Sequence, residues 1–98
     1  MSLLLAFHAE VQGEVDAAYR WYECERPGLG DELLTRLREQ LDLIQQRPET
    51  YGVLRRKTRG ALLKQFPYVV DFRIAVDRID VLAVQHGRRH SRAWQSRT

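Results

Sequence analysis

Three short apolar runs in residues 60–90 constrain the fold of this chain more than any other feature of its sequence. They span residues 61–66, 68–76 and 79–85. Tyr, Phe, Val and Ile dominate the last two runs, and these residues pack well in β-strands. The gap between those runs, Asp77-Arg78, is so short that the strands must be antiparallel, because a parallel pair needs a long crossover. Since Asp-Arg is a poor two-residue turn, we expect a loop one residue longer.

The second run predicts a half-buried strand, and the third predicts a central strand that ends in a charged segment. In residues 68–76 apolar side chains alternate with mixed ones, so one face of that strand meets a core and the other is partly open. Residues 82–84, Leu-Ala-Val, are apolar on both faces, which indicates a strand inside the sheet. The chain then continues as His-Gly-Arg-Arg-His, residues 86–90. We therefore expect the functional site to lie where this strand ends.

One strand and two helices are predicted upstream of these runs. Residues 3–7 predict a short buried strand. In the first helix, apolar residues recur with the helical period at Val11, Val15, Ala18 and Tyr22. We expect Trp21 to widen this stripe, and Glu10, Glu14 and Glu25 to face water.

A Pro-Gly turn separates the two helices. The segment 26–30, Arg-Pro-Gly-Leu-Gly, ends the first helix. The second helix has its own apolar stripe at Leu33, Leu37, Leu41 and Ile44. It should end near Arg47, because Pro48 disfavours helical geometry in the residue before it. Two helices joined by so short a turn form an antiparallel hairpin.

These elements predict one α+β domain over residues 1–98. The leucine stripe must be buried, and the apolar face of the sheet is the only large surface available. The predicted fold is a two-layer β-α-α-β-β-β domain, with the helical hairpin packed on a twisted, mainly antiparallel sheet. Residues 52–58 predict a further strand or edge segment, because the cations in it suit an exposed edge.

Composition and charge exclude several classes of protein. No apolar run is long enough to cross a membrane. Cys24 is the only cysteine, so an internal disulfide is impossible, and a cytoplasmic protein is expected. Residues 1–52 have ten acidic and five basic side chains, whereas residues 53–98 have three acidic and eleven basic ones. The second half of the chain therefore suits an anionic partner, either nucleic acid or an acidic protein.

The candidate chemistry is that of phosphate binding without a metal or cofactor. His86 and His90 are separated by Gly-Arg-Arg, which does not suit a metal site, and neither a P-loop nor a serine triad is present. The basic residues proposed to contact nucleic acid are Arg55, Arg56, Lys57 and Arg59. Metal-free RNA cleavage needs groups that exchange protons and cations that stabilise the phosphorane. Either histidine could exchange protons, and the cations for this chemistry would be Lys64, Arg73 and Arg88.

The order of residues along nearly the whole chain resembles that of the RelE/ParE toxin superfamily, and most closely its ParE-like, plasmid-stabilisation side. The first half of the match consists of Phe7, Ala9, Trp21-Tyr22-Glu23, Pro27-Gly28-Leu29-Gly30, Leu33-Leu34, Leu37, Leu41, Ile44, Pro48 and Tyr51. The second half consists of Arg59-Gly60-Ala61-Leu62-Leu63, Phe66-Pro67-Tyr68, Val81-Leu82-Ala83-Val84, His86, Arg89 and Trp94. One departure is Ser91, where many relatives have proline.

This resemblance implies a type II toxin that a cognate antitoxin neutralises by direct binding, in a hetero-oligomer with a microbial-RNase-like fold. RelE-like relatives cleave messenger RNA on the ribosome, whereas ParE-like relatives inhibit DNA gyrase and cleave nothing themselves. The ribonuclease branch relies on basic residues along the sheet, an arginine after the hairpin and often a tyrosine in the tail. Here Val69 stands where a basic residue is expected, and Trp94 stands near the place of the tyrosine. Both differences favour the branch that is not enzymatic.

Three hypotheses follow. The leading one is a toxin directed at a protein such as DNA gyrase, which it grips through Arg88, Arg89, Arg92 and Trp94. The alternative is a ribosome-dependent endoribonuclease that uses Lys64, Arg73, Arg88 and either His86 or His90. The third is a basic module that binds nucleic acid without toxicity.

Overall fold

The structure is a computed structural model that describes residues 3–88. Its elements are β1 (Leu4–Phe7), α1 (Val11–Glu25), α2 (Leu29–Gln46), a 3-10 turn (Pro48–Thr50), β2 (Val53–Arg55), β3 (Thr58–Leu62), β4 (Tyr68–Ile74) and β5 (Arg78–His86). The two helices form the predicted hairpin on a sheet, so the predicted α+β fold is confirmed. The segment predicted at 52–58 supplies β2, which makes the sheet five-stranded.

The strands lie in the order β1-β5-β4-β3-β2. β1 pairs in parallel with β5, and the other neighbours are antiparallel. β5 is therefore an inner strand, as its two apolar faces predicted. The loop between β4 and β5 has three residues rather than two, and the Ala75 N–H donates to the Arg78 carbonyl at 2.8 Å across it.

The leucine stripe of α2 meets the apolar face of the sheet in one core. Leu33, Leu37 and Ile44 are buried in the same cluster as Val70 and Phe72, and Leu41 is partly buried against it. Burying each large apolar side chain stabilises the fold by about 1.5–3 kcal/mol. The prediction that the first strand is buried is wrong, because Leu4 of β1 is 76% exposed. This strand is the outermost one on its side of the sheet, so the core covers only part of it.

A carboxylate of α1 holds the start of α2. Gly28, the residue before α2, has φ +90°, a conformation that glycine adopts without strain. As in any helix, the first N–H groups of α2 have no partners within the helix. The Glu23 carboxylate accepts the N–H groups of Gly28 and Gly30, both at 2.9 Å. A Cβ on Gly30 would lie 2.8 Å from the Tyr19 carbonyl oxygen, so the helices cross closely at this point.

Candidate functional site

A groove of about 850 Å³ runs between α1 and the end of β5, and we name it the α1–β5 groove. Its lining residues are Ala9, Glu10, Gly13, Glu14, Ala17, Ala18, Trp21, Tyr22, Tyr68, Val84, Gln85, His86 and Arg88. The residues from α1 are three or four positions apart, so they form one face of the helix. The groove lies where the sequence predicted the site, at the end of the central strand.

The groove exists because β1 is shorter than β5. The parallel pairing of the two strands ends at Phe7 and Val81, and the His8 N–H donates to the Val81 carbonyl at 2.9 Å. Beyond this point α1, rather than a strand, lies beside β5. The Glu14 carboxylate accepts the backbone N–H of Val84 at 2.9 Å and a hydrogen bond from the Gln85 side-chain amide. Glu14 thus binds a backbone group that a neighbouring strand would otherwise pair.

Tyr22, Tyr68 and His86 line the groove as a row of rings, and the buried ring of Phe66 packs behind Tyr22. The centroid of Tyr22 lies 5.0 Å from that of Phe66 and 6.1 Å from that of Tyr68, and Tyr68 lies 5.5 Å from His86. All three pairs have the edge-to-face geometry that aromatic rings prefer. Burial raises the pKa of the Tyr22 hydroxyl, so this tyrosine keeps its proton at neutral pH. Trp21 lies on the rim, where 63% of its surface is exposed.

His86 and Arg88 lie together at one end of the groove. The Nδ1 atom of His86 accepts the backbone N–H of Arg88 at 3.2 Å. When the ring is neutral, its proton is therefore on Nε2. This arrangement fixes the ring and presents one N–H donor beside a cationic side chain.

The four residues proposed for RNA cleavage do not all lie close together in the structure. His86 and Arg88 line the groove, but neither Lys64 nor Arg73 does. Lys64 follows β3 at the same end of the sheet. Arg73 pairs with Asp80 and Thr58 at the opposite end, whereas His86 pairs with Tyr68. The distance along β4 from Tyr68 to Arg73 is about 17 Å at the rise of a β-strand.

The four cations proposed for nucleic-acid contact have two different environments. Arg55, Arg56 and Lys57 are exposed at the turn between β2 and β3. Arg59 is partly buried instead, and its Nη1 donates to the Tyr51 carbonyl at 2.6 Å and to the Glu49 carbonyl at 3.4 Å. Arg59 therefore anchors the 3-10 turn to β3. Of the residues proposed to grip a target, only Arg88 is described, whereas Arg89, Arg92 and Trp94, like His90, lie outside the described residues.

Two residues of the groove were placed wrongly by sequence reasoning. Glu14 was expected to face water, but its carboxylate binds β5. Trp21 was expected to join the apolar stripe, but it is mostly exposed. The signal that could have identified both is the helical spacing of Glu10, Glu14, Ala17 and Trp21, which places them on one face.

Neither a metal site nor a membrane span is found in the described part of the chain. No group of three or more His, Cys, Asp or Glu side chains in residues 3–88 could hold a metal ion. Neither helix in that range combines the length and the apolar content that crossing a bilayer requires.

Comparison with known proteins identifies the family. A family model described as the ParE toxin of type II toxin–antitoxin system, parDE, matches residues 5–91. A solved structure of the chromosomal ParDE TA system from P. aeruginosa has a TM-score of 0.75 and 21% sequence identity, covering 87% of this chain and 96% of that chain. This likeness shows the fold. No curated sequence matches the chain. Because the family model spans nearly the whole sequence, the protein belongs to the ParE toxin family of type II toxin–antitoxin systems, whose members have a cognate antitoxin as partner.

Proposed function

We propose that this protein is a toxin that inhibits DNA gyrase in the cytoplasm and does not itself cleave RNA. The observation that carries this proposal is the separation of the residues that cleavage would need. A proton-transfer group must come within about 2.6–3.2 Å of the reacting atom. His86 and Arg88 share one end of the α1–β5 groove, while Arg73 lies at the other end of the sheet beside Asp80. Among residues 3–88 the groove then has His86 and Arg88, with Lys64 near the same end of the sheet but outside the lining, and this set suits binding better than acid–base catalysis on a phosphate.

The first experiment compares the two candidate targets. We expect the purified protein to inhibit the supercoiling activity of DNA gyrase and to leave a message translated on ribosomes intact. His86→Gln should retain most of the inhibition, because glutamine can still accept the Arg88 N–H and no proton transfer is involved. Arg88→Gln should weaken the inhibition, because it removes the exposed cation at the groove end.

Three results would contradict this proposal. Ribosome-dependent cleavage that is lost in Arg88→Ala would favour the endoribonuclease. Full loss of growth inhibition in His86→Gln, with normal folding, would also indicate catalysis. Harmless overexpression without an antitoxin would favour the third hypothesis, a non-toxic module that binds nucleic acid.

We further propose that the cognate antitoxin neutralises the toxin by placing an amphipathic segment in the α1–β5 groove. The groove offers the exposed indole of Trp21 as an anchor, and the small residues Gly13 and Ala17 let a partner approach α1 closely. Because Arg88 lines the same groove, a segment bound there covers a residue that we propose to contact gyrase. Neutralisation then results from direct occlusion.

Substitution of the exposed indole tests this location. Trp21→Ala should weaken antitoxin binding by about 30-fold, which corresponds to about 2 kcal/mol for an interface anchor. Leu43→Ala on α2 is the matched control, because Leu43 is also a large, exposed apolar residue (49%) but does not line the groove. Equal affinities of the two variants for the antitoxin, measured by isothermal titration calorimetry, would place the antitoxin elsewhere.

A further inference from the structure

The turn between β2 and β3 has an unusual composition for its geometry. Arg55 pairs with Thr58, so only Arg56 and Lys57 form the turn. Both central residues have positive φ angles, +49° and +64°. This is the pattern of a type I′ hairpin turn, in which Asn-Gly or a similar pair is strongly preferred. Two long cationic side chains thus occupy positions whose backbone favours small residues.

Such a turn lowers the stability of the hairpin. Residues other than glycine adopt positive φ only with strain, and Asn and Asp tolerate it better than Arg or Lys. Strained turns of this kind are common at sites of function. An Asn-Gly pair would suit the backbone of this turn better than the Arg-Lys pair that is present. What Arg-Lys adds is two positive charges.

The three cations at this turn are available to a ligand. Arg55, Arg56 and Lys57 are all exposed, and none of them forms an ion pair or side-chain hydrogen bond with any residue in the described range. By contrast, Arg59 in the same hairpin is engaged by backbone carbonyls. We call Arg55, Arg56 and Lys57 the hairpin tip.

The hairpin tip suits nucleic acid better than an acidic protein. The apolar neighbours Val53 and Leu54 are 56% and 48% exposed, but they lie in β2 before the turn rather than in the turn itself. Three adjacent exposed cations can each contact a phosphate, because a duplex carries one negative charge per about 1.7 Å of its axis.

From this combination we infer that the hairpin tip binds the phosphate backbone of duplex DNA without sequence preference. The tip lies at the end of the sheet where Thr58 pairs with Arg73, whereas the α1–β5 groove lies where Tyr68 pairs with His86. The two surfaces are therefore separate, and the chain can bind DNA through one while a protein occupies the other. The inference does not depend on which protein the toxin inhibits.

The decisive variant replaces the tip with the turn that the backbone prefers. Arg56→Asn/Lys57→Gly removes two cations and should raise the melting temperature, so a loss of DNA binding in it cannot result from misfolding. Affinity for a fluorescent random-sequence duplex, measured by anisotropy, should fall by roughly 50-fold at about 0.1 M salt. The slope of log K against log[salt] should become shallower by about 2.

The control removes the same charge from a different surface. Arg20→Gln/Arg38→Gln changes two exposed arginines of the helices, neither of which has an ion pair within residues 3–88. This variant should bind the duplex within about threefold of the unmodified chain. Equal losses in both double variants would overturn the inference, because they would indicate an effect of net charge alone.

Two further outcomes also overturn it. One is unchanged affinity and salt slope in Arg56→Asn/Lys57→Gly. The other is displacement of the duplex by polyglutamate at an equal concentration of negative charge, which would make the tip a site for an acidic protein. Gyrase inhibition is measured separately, so either proposal can fail without the other.

Discussion

The hydrogen bonds from Glu23 to the start of α2 predict a large loss of stability in Glu23→Gln. The carboxylate accepts two backbone N–H groups at 2.9 Å, and the bond to Gly30 is partly buried. A carboxylate at a helix N-terminus also interacts favourably with the helix dipole. Glutamine retains one acceptor, but its amide nitrogen must then face the second N–H group.

The expected cost is the sum of two effects. Loss of one charge-assisted hydrogen bond at a partly exposed site costs about 1–1.5 kcal/mol, and loss of the charge at the helix end costs about 0.3–1 kcal/mol. The free energy of unfolding should therefore decrease by about 2 kcal/mol. For a domain of this size, that corresponds to a melting temperature lower by about 8–12 °C.

Thermal and urea unfolding monitored by circular dichroism give both quantities. Glu25→Gln is the matched control, since Glu25 lies in the last turn of the same helix and forms no side-chain hydrogen bond within the described range. We expect the control to stay within about 0.5 kcal/mol of the unmodified chain. If the two variants melt within a degree or two of each other, Glu23 does not hold the start of α2 and the reasoning is refuted.

Three further substitutions test other contacts. Gly30→Ala should lower the free energy of unfolding by about 1–2 kcal/mol despite the better helix propensity of alanine, because the new Cβ meets the Tyr19 carbonyl oxygen at 2.8 Å; increased stability in urea would show that the helices separate easily. Thr58→Val should raise stability by about 1 kcal/mol, because the buried Thr58 hydroxyl has no hydrogen-bond partner among the residues described; a lower melting temperature would reveal a partner for that hydroxyl. The negative charge of Asp31, together with Glu23, burial and a hydrogen bond to Asp31, raises the pKa of the Tyr19 hydroxyl. The folded state therefore holds this proton more tightly than the unfolded state. The protonated hydroxyl contributes to the free energy of unfolding at pH values below the unfolded-state pKa, and this contribution is lost as the pH rises through the folded-state pKa. Melting temperatures measured from neutral to alkaline pH should fall less steeply in Tyr19→Phe, and identical profiles would contradict this.

Several features of the fold were predictable from local patterns in the sequence. The helical spacing of Leu33, Leu37 and Ile44 identified the buried face of α2, and the structure buries all three. The apolar run at 82–84 identified an inner strand, and β5 lies between β1 and β4. These features are predictable because the period of apolar residues reports directly which side of an element meets the core.

The arrangement of the candidate sites depends on contacts between residues far apart in the chain. Glu14 binds the Val84 N–H because β1 ends where β5 continues, and no periodicity in α1 reports the length of another strand. The proposed roles of Arg89, Arg92 and Trp94 stay predictions, since these residues lie outside the described range.

What the sequence determined by itself is the pair of helices with their main apolar stripes, the inner position of β5 and the basic character of the second half of the chain. What only the tertiary structure decided is which charged residues are neighbours. Strand order and register place Arg73 beside Thr58 and His86 beside Tyr68 at opposite ends of the sheet. The physical reason is that a strand's side-chain pattern repeats every two residues and specifies a face, whereas distances between strands depend on pairing across the whole sheet.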